Sequence, residues 1–314
     1  MSKSKARAYV TATRPWSFTC SSMPALLGGV TAYYLYKDTP GFSFSWVNFF
    51  LTVVGMIAAQ AACNLINDYY DYKMRCDHLG NLGVRNPFLQ PALSHRTLLV
   101  ETLSILFVAF LVALYFIITV NLVILWLVLF GLFTCVFYTA PPISLKYHAL
   151  GDLFIILAFG FATTFGAFYV QAWTVFSFSR PELLVVLLYA VPVAFMGDAM
   201  LNANNTRDIG EDRSENVLTF AGLVGETLAW VYEHFLVVGS FLVSILLILF
   251  FRLTPLTLVT LLAVPAAHKL LYKMRNRASI DREAYARVDL DSARVHLIYC
   301  SLYVCSMALG ALLL

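Results

Sequence analysis

The chain has 314 residues, of which 60% are apolar and only 12% are charged, about half the ~25% charged share of soluble domains. The mean hydropathy is +0.77 and the formal net charge only +3. These values exclude a soluble globular protein, a disordered chain and a nucleic-acid binder. They point to an integral protein of the lipid bilayer built from helices, because apolar runs recur and many reach the ~20 residues that span a membrane.

The first fifteen residues are basic and polar, and no small-residue cleavage site follows the first apolar run, so no cleavable signal peptide is expected. Nine apolar segments follow, centred near Leu27, Ala58, Phe110, Gly131, Ala162, Val193, Gly239, Leu262 and Ser306. Only Val120 and Asn121 separate the third from the fourth, and the short eighth contains Pro265. With the N-terminus in the cytoplasm, eighteen of the 21 lysines and arginines lie inside, and only Lys37, Arg180 and Arg252 lie outside, as the positive-inside bias requires. The expectation is an all-α membrane protein, one domain over residues 1–314, with nine transmembrane helices. The long polar connections, about 72–95, 140–150, 207–225 and 274–294, all fall on the cytoplasmic side, so chemistry is expected at that face of an inner or plasma membrane. Six cysteines lie mostly in apolar runs with no CxxC pair and read as buried thiols.

Two polar motifs interrupt this pattern at helix ends. In Asn64-Leu-Ile-Asn67-Asp68-Tyr-Tyr-Asp71 the polar residues stand at i, i+3, i+4 and i+7, a stripe on one helical face. Carboxylates and amides together at membrane depth are costly and functional by default. As hard oxygen donors they suit Mg²⁺, which is usually completed by substrate phosphates. The second motif is Asn204-Asn205-Thr206-Arg207-Asp208-Ile-Gly-Glu211-Asp212. Its spacing echoes the first in either of two registers, offset by 140 or 141 residues, so the second and sixth segments hold analogous places. Two acidic motifs on one face repel unless cations separate them; Mg²⁺ with a diphosphate meets that need. Lys73, Arg75, Lys146, Arg207 and Arg213 lie in the same loops and could clamp phosphate oxygens. The plainer reading of each is a topology signal, and Arg207 stands apart because it sits inside the acidic stripe.

At these residues the chain resembles the UbiA superfamily of intramembrane prenyltransferases. That family places nine helices around a central cavity, with two Asp-rich motifs that bind Mg²⁺ and an isoprenyl diphosphate. The resemblance assigns metal and diphosphate roles to Asn67, Asp71, Asp208 and Asp212, with Asp68 and Asp77 as further acidic positions. Within the superfamily the chain is most similar to the 1,4-dihydroxy-2-naphthoate prenyltransferases and their animal menaquinone-forming relatives. The similarity lies in Arg14-Pro15-Trp16-Ser17-Phe18, Asn67-Asp68-Tyr69-Tyr70-Asp71-Tyr72-Lys73, Leu145-Lys146-Tyr147 and Asn204-Asn205-Thr206-Arg207-Asp208. It implies transfer of a geranylgeranyl or longer chain to 1,4-dihydroxy-2-naphthoate with loss of CO₂. Two departures stand out: Arg75 and Asn216 replace glycines common in the family. Asn tolerates left-handed backbone better than most residues.

An allylic cation formed on loss of diphosphate needs aromatic faces and a dry pocket; Tyr69, Tyr70 and Tyr138 are candidates. Asp71, Asp208, Asp212 and Asp198 are the expected catalytic carboxylates, Asp198 through contact with the acceptor or proton handling. Asn64, Asn67, Lys73, Tyr138, Lys146, Asn204, Arg207 and Arg14 are the expected substrate contacts, Arg14 towards the naphthoate carboxylate or the diphosphate. Other acceptors (4-hydroxybenzoate, homogentisate, a haem or a lipid), an ion-coupled transporter and a non-catalytic prenyl diphosphate sensor are the alternatives.

Overall fold

Long apolar runs propagate as helix until a cap, Gly or Pro intervenes, and side-chain caps mark several starts here. A computed structural model describes residues 3–76, 86–178 and 181–313. Helix α1 (Lys3–Ala12) leads to α2 (Thr19–Tyr36) and α3 (Trp46–Lys73). The Ser45 hydroxyl accepts from the Asn48 N–H to start α3. Ser94 and Asn121 cap α4 (His95–Thr119) and α5 (Leu122–Phe137) in the same way. Helix α6 (Gly151–Ile155), a π-helical stretch (Ile156–Ala162) and α7 (Thr163–Ala172) make one continuous rod. Helix α8 (Glu182–Ser214) has 33 residues. A short α9 (Phe220–Val224) precedes α10 (Glu226–Phe250). A 3₁₀ stretch (Pro255–Ala263) runs into α11 (Val264–Arg275), with Pro265 in the first turn, where its missing N–H costs nothing. Helices α12 (Arg282–Tyr285) and α13 (Val288–Leu313) close the chain.

The protein is an all-α, multi-pass membrane protein. Among the described residues seven rods are long and apolar enough to cross a bilayer. Helices α2, with 18 residues, and α5, with 16, occupy the remaining two positions marked by the apolar segments. Helices α2, α8, α10, α11 and α13 share the main core, in which Tyr189, Tyr299 and Tyr303 are almost wholly enclosed. Gly28 lets α2 approach α7 so closely that a Cβ would collide with the Thr164 carbonyl. By contrast α4 and α5 turn large side chains outward, with Ile118 74% and Trp126 71% exposed, the arrangement expected of surfaces solvated by lipid tails.

The polar connections between helices hold strained backbone. Arg14, Ser144 and Ala149 adopt positive φ of 54°, 46° and 57°, costing a non-glycine residue about 1–2 kcal/mol each. Ala149 is held there by its N–H donating to the Leu218 carbonyl at 2.7 Å. A single β-bridge between His148 and Leu218 thus ties the loop after α5 to the loop after α8. Arg75 and Asn216, where the resemblance implies glycine, also lie at positive φ, 59° and 58°.

Candidate active site

The C-terminal ends of α3 and α8 face one another across a cavity. Helix α3 lines it with Gln60, Asn64, Asn67 and Asp71, and α8 lines it from Gly197 to Asp212. The segment around Trp16, the ends of α5 and α6 and the first turn of α13 complete the wall. Of the predicted residues, Arg14, Asn64, Asn67, Asp71, Tyr138, Lys146, Asn204, Arg207, Asp208 and Asp212 all meet here.

Each motif carries its own cation. Asp71 is buried at the end of α3. One oxygen accepts from the Tyr147 hydroxyl at 2.5 Å, the other from the Lys146 ammonium at 3.2 Å. Burial first, then the Asp71 charge, raises the Tyr147 phenol far above its ordinary pKa, so it remains a donor. On α8 the Arg207 guanidinium donates through Nε and Nη2 to both oxygens of Asp208, each at 2.6 Å. The same Nη2 reaches Asn204 Oδ1 at 2.8 Å. Asp212 accepts one long bond, 3.4 Å, from Thr219, and its carboxylate opens on the cavity. The Thr139 hydroxyl donates to Asn67 Oδ1 at 3.3 Å. The Asn64 amide instead holds the chain before α2, donating to the Thr13 carbonyl and the Ser17 hydroxyl at 2.9 Å each; it therefore shapes the wall as well as lining it.

Seven predicted residues, Asp68, Asp198, Lys73, Arg75, Arg213, Tyr69 and Tyr70, are absent from the cavity wall. Asp68 is wholly buried, is ion-paired with Arg14 and is absent from the cavity wall. At 100° per residue it sits about 70° around α3 from the mean direction of Gln60, Asn64, Asn67 and Asp71, so its carboxylate meets the incoming N-terminal segment rather than the cavity. Asp198 is likewise enclosed, about 100° around α8 from the cavity-lining Gly197. It accepts from the Tyr232 hydroxyl of α10 at 2.5 Å, beside Asn202, which donates to Glu233 at 2.7 Å, and it is absent from the cavity wall. Lys73 is exposed, with its ammonium 5.9 Å from the Tyr69 ring centre. Asp77 lies outside the described residues. Tyr69 packs edge-on against Phe88, so the aromatic wall comprises Tyr138, Trp16 and Phe159.

The sequence reading missed two partners. Tyr147 is adjacent to Lys146, and its hydroxyl becomes relevant only when the loop folds back on α3. Asp289, from the first turn of α13, pairs with Arg207 Nη1 at 3.0 Å and lines the cavity. It sits in a stretch whose cations read only as a topology signal, and no spacing links it to α8.

Charge and chemistry together define a class. Five carboxylates (Asp71, Asp208, Glu211, Asp212 and Asp289) face three cations (Arg14, Lys146 and Arg207) across one membrane-embedded cavity. The sequence profile of the UbiA prenyltransferase family matches residues 19–312; the chain belongs to this family of membrane prenyltransferases. It is 33% identical over 311 residues to the UbiA prenyltransferase domain-containing protein 1 of Xenopus tropicalis, covering 98% of this chain and 84% of that one. The human protein of the same name is 30% identical, with 98% and 85% covered. Among solved structures, the apo UbiA homologue from Aeropyrum pernix K1 superposes with a TM-score of 0.69 at 16% identity, covering 93% and 97% of the two chains. The homologue from Archaeoglobus fulgidus bound to DMAPP and Mg²⁺ gives 0.56 at 15% identity, covering 93% and 99%. At these identities the structural likeness shows the fold.

Proposed function

We propose that this protein transfers a polyprenyl group, geranylgeranyl or longer, from an isoprenyl diphosphate to 1,4-dihydroxy-2-naphthoate with decarboxylation, using Mg²⁺. The single domain would work at the cytoplasmic face, with its N-terminus on that side. The observation that carries this reading is the excess of carboxylate in the cavity, five against three cations. A diphosphate brings further negative charge and is repelled unless divalent cations accompany it. Asn67, Asp71, Asp208 and Asp212 offer the hard oxygens Mg²⁺ prefers. When bound, Mg²⁺ supplies Lewis-acid neutralisation of the departing diphosphate. The Archaeoglobus fulgidus homologue bound to DMAPP and Mg²⁺ supports this assignment.

The chain's own residues do the rest. Lys146 and Arg207, with Arg14 at the rim, hold non-bridging phosphate oxygens. The allylic C–O bond breaks and its electron pair leaves with the diphosphate. Tyr138, Trp16 and Phe159 shield the allylic cation from water and stabilise it by their ring faces. The naphthoate carbon bearing the carboxylate attacks, and a C–C bond forms. The bond to the carboxylate then breaks; CO₂ departs and the bonding pair restores the aromatic ring. The immediate product is the prenylated naphthohydroquinone. Demethylmenaquinone is its two-electron oxidised form and requires an external oxidant. The acceptor is argued from Asn204-Asn205-Thr206-Arg207-Asp208 and Leu145-Lys146-Tyr147, both at the cavity, and from the similarity to UbiA prenyltransferase domain-containing protein 1.

The test is an assay of the solubilised full chain with 1,4-dihydroxy-2-naphthoate, geranylgeranyl diphosphate and Mg²⁺, read by mass spectrometry. Decarboxylated prenyl product that disappears with EDTA and in Asp208→Ala supports the reading. Prenylation only of another phenol keeps the mechanism and overturns the acceptor. No product and no diphosphate release with any acceptor overturns the enzyme.

A further inference from the structure

Arg207 is only 5% exposed, and its guanidinium is strung between two helices. Nε and Nη2 serve Asp208 and Asn204 on its own helix, α8. Nη1 meets Asp289 Oδ1 of α13 at 3.0 Å and donates at 3.4 Å to the carbonyl of Ala286, just before that helix. The arrangement poses a conflict. Asp208 is assigned to a divalent cation, yet here both its oxygens are occupied by Arg207. A cation at Asp208 competes with Arg207 for the same carboxylate, and a buried guanidinium drawn off without another carboxylate partner is strongly disfavoured. Asp289 is the acceptor that removes this conflict. It faces the same cavity and stands in the first turn of α13, where the helix dipole favours a carboxylate. That turn is fixed independently, since Asp291, two residues on, is paired with Lys273 of α11 at 2.6 Å.

We propose that Asp289 is a positioning residue that holds Arg207 when Asp208 is taken by a divalent cation, so that the guanidinium stays paired and directed at the diphosphate. The inference rests on the metal-dependent reading above and deepens it. Arg207 is then a counter-charge shared by two carboxylates: it pairs with Asp208 and Asp289 together here, and would rest on Asp289 alone when a cation holds Asp208. Without the charge at Asp289 the guanidinium stays on Asp208 and competes with the cation.

The test is Mn²⁺ binding to the solubilised full chain without substrate, followed by electron paramagnetic resonance, in five proteins: wild type, Asp289→Asn, Asp289→Glu, Arg207→Gln and the Asp289→Asn/Arg207→Gln double variant. Asp289→Asn is expected to bind Mn²⁺ about tenfold more weakly than wild type, as loss of one close charge partner implies. In the Arg207→Gln background the same substitution is expected to change nothing, because no guanidinium remains to compete. Asp289→Glu, which keeps the charge, should restore most of the affinity. Equal Mn²⁺ affinity in wild type and Asp289→Asn overturns the proposal. So does an equal loss with and without Arg207, which would mark Asp289 as merely structural. Wild type that binds no Mn²⁺ fails at an earlier step: it overturns the metal-dependent function and this inference with it.

Discussion

The two motifs solve the same electrostatic problem with different parts. At the end of α3, Asp71 is held by Lys146 and Tyr147, 75 and 76 positions further along the chain. At the end of α8, Asp208 is held by Arg207, the adjacent residue. The first acid is therefore neutralised by a loop from elsewhere in the chain, the second by its own helix. The difference teaches that the loop after α5 is part of the first motif in space although far from it in sequence. The β-bridge from His148 to Leu218 then couples that loop to the second motif.

Removing either acid is the strongest way to break the comparison. Asp71→Ala and Asp208→Ala are each expected to lower prenyl transfer about a hundredfold or more, measured as product formed per enzyme at saturating Mg²⁺. If Asp71→Ala retained activity, the two motifs would not be equivalent. Tyr147→Phe tests the borrowed partner alone. The phenol donates to Asp71, so its loss should raise the Mg²⁺ concentration needed for half-maximal rate by about tenfold. That rise should appear without a fall in melting temperature.

Asp68→Asn separates neighbours on one helix. Its carboxylate holds Arg14, so the variant should behave like Arg14→Gln, with a KM for the anionic substrates raised about threefold and an unchanged Mg²⁺ requirement. A shifted Mg²⁺ requirement would return Asp68 to the metal site. The smallest expected effect compares the two turns that follow the motifs. Arg75 and Asn216 share nearly the same left-handed φ, but Asn pays less for it. Arg75→Gly should stabilise the protein by about 0.5–1 kcal/mol and Asn216→Gly by less, read from thermal unfolding in detergent.

Much of this molecule was written in one dimension. Hydropathy located every long rod, because a membrane span must satisfy its backbone internally and cover itself with apolar side chains over a set length. The 3.6-residue period brought Asn64, Asn67 and Asp71 to one face, and Asn204, Asp208 and Asp212 to another. The turn at Asn216 was legible from the residue's own backbone preference.

What the period could not resolve was the edge of each stripe. Asp68 is one residue from Asn67, and Asp198 one residue from Gly197, yet a step of 100° moves each from the cavity to a neighbouring element. Which element waits there, the Arg14 segment for one and Tyr232 of α10 for the other, is a matter of packing between distant parts of the chain. Lys73 shows the same limit for flexible side chains, whose position in a loop does not set where the charge rests. Composition and periodicity therefore determined a helical membrane protein with two acidic helix ends. Only the tertiary structure decided which charges meet, because a cation from another helix or loop, such as Lys146 for Asp71, is brought in by packing and not by spacing along the chain.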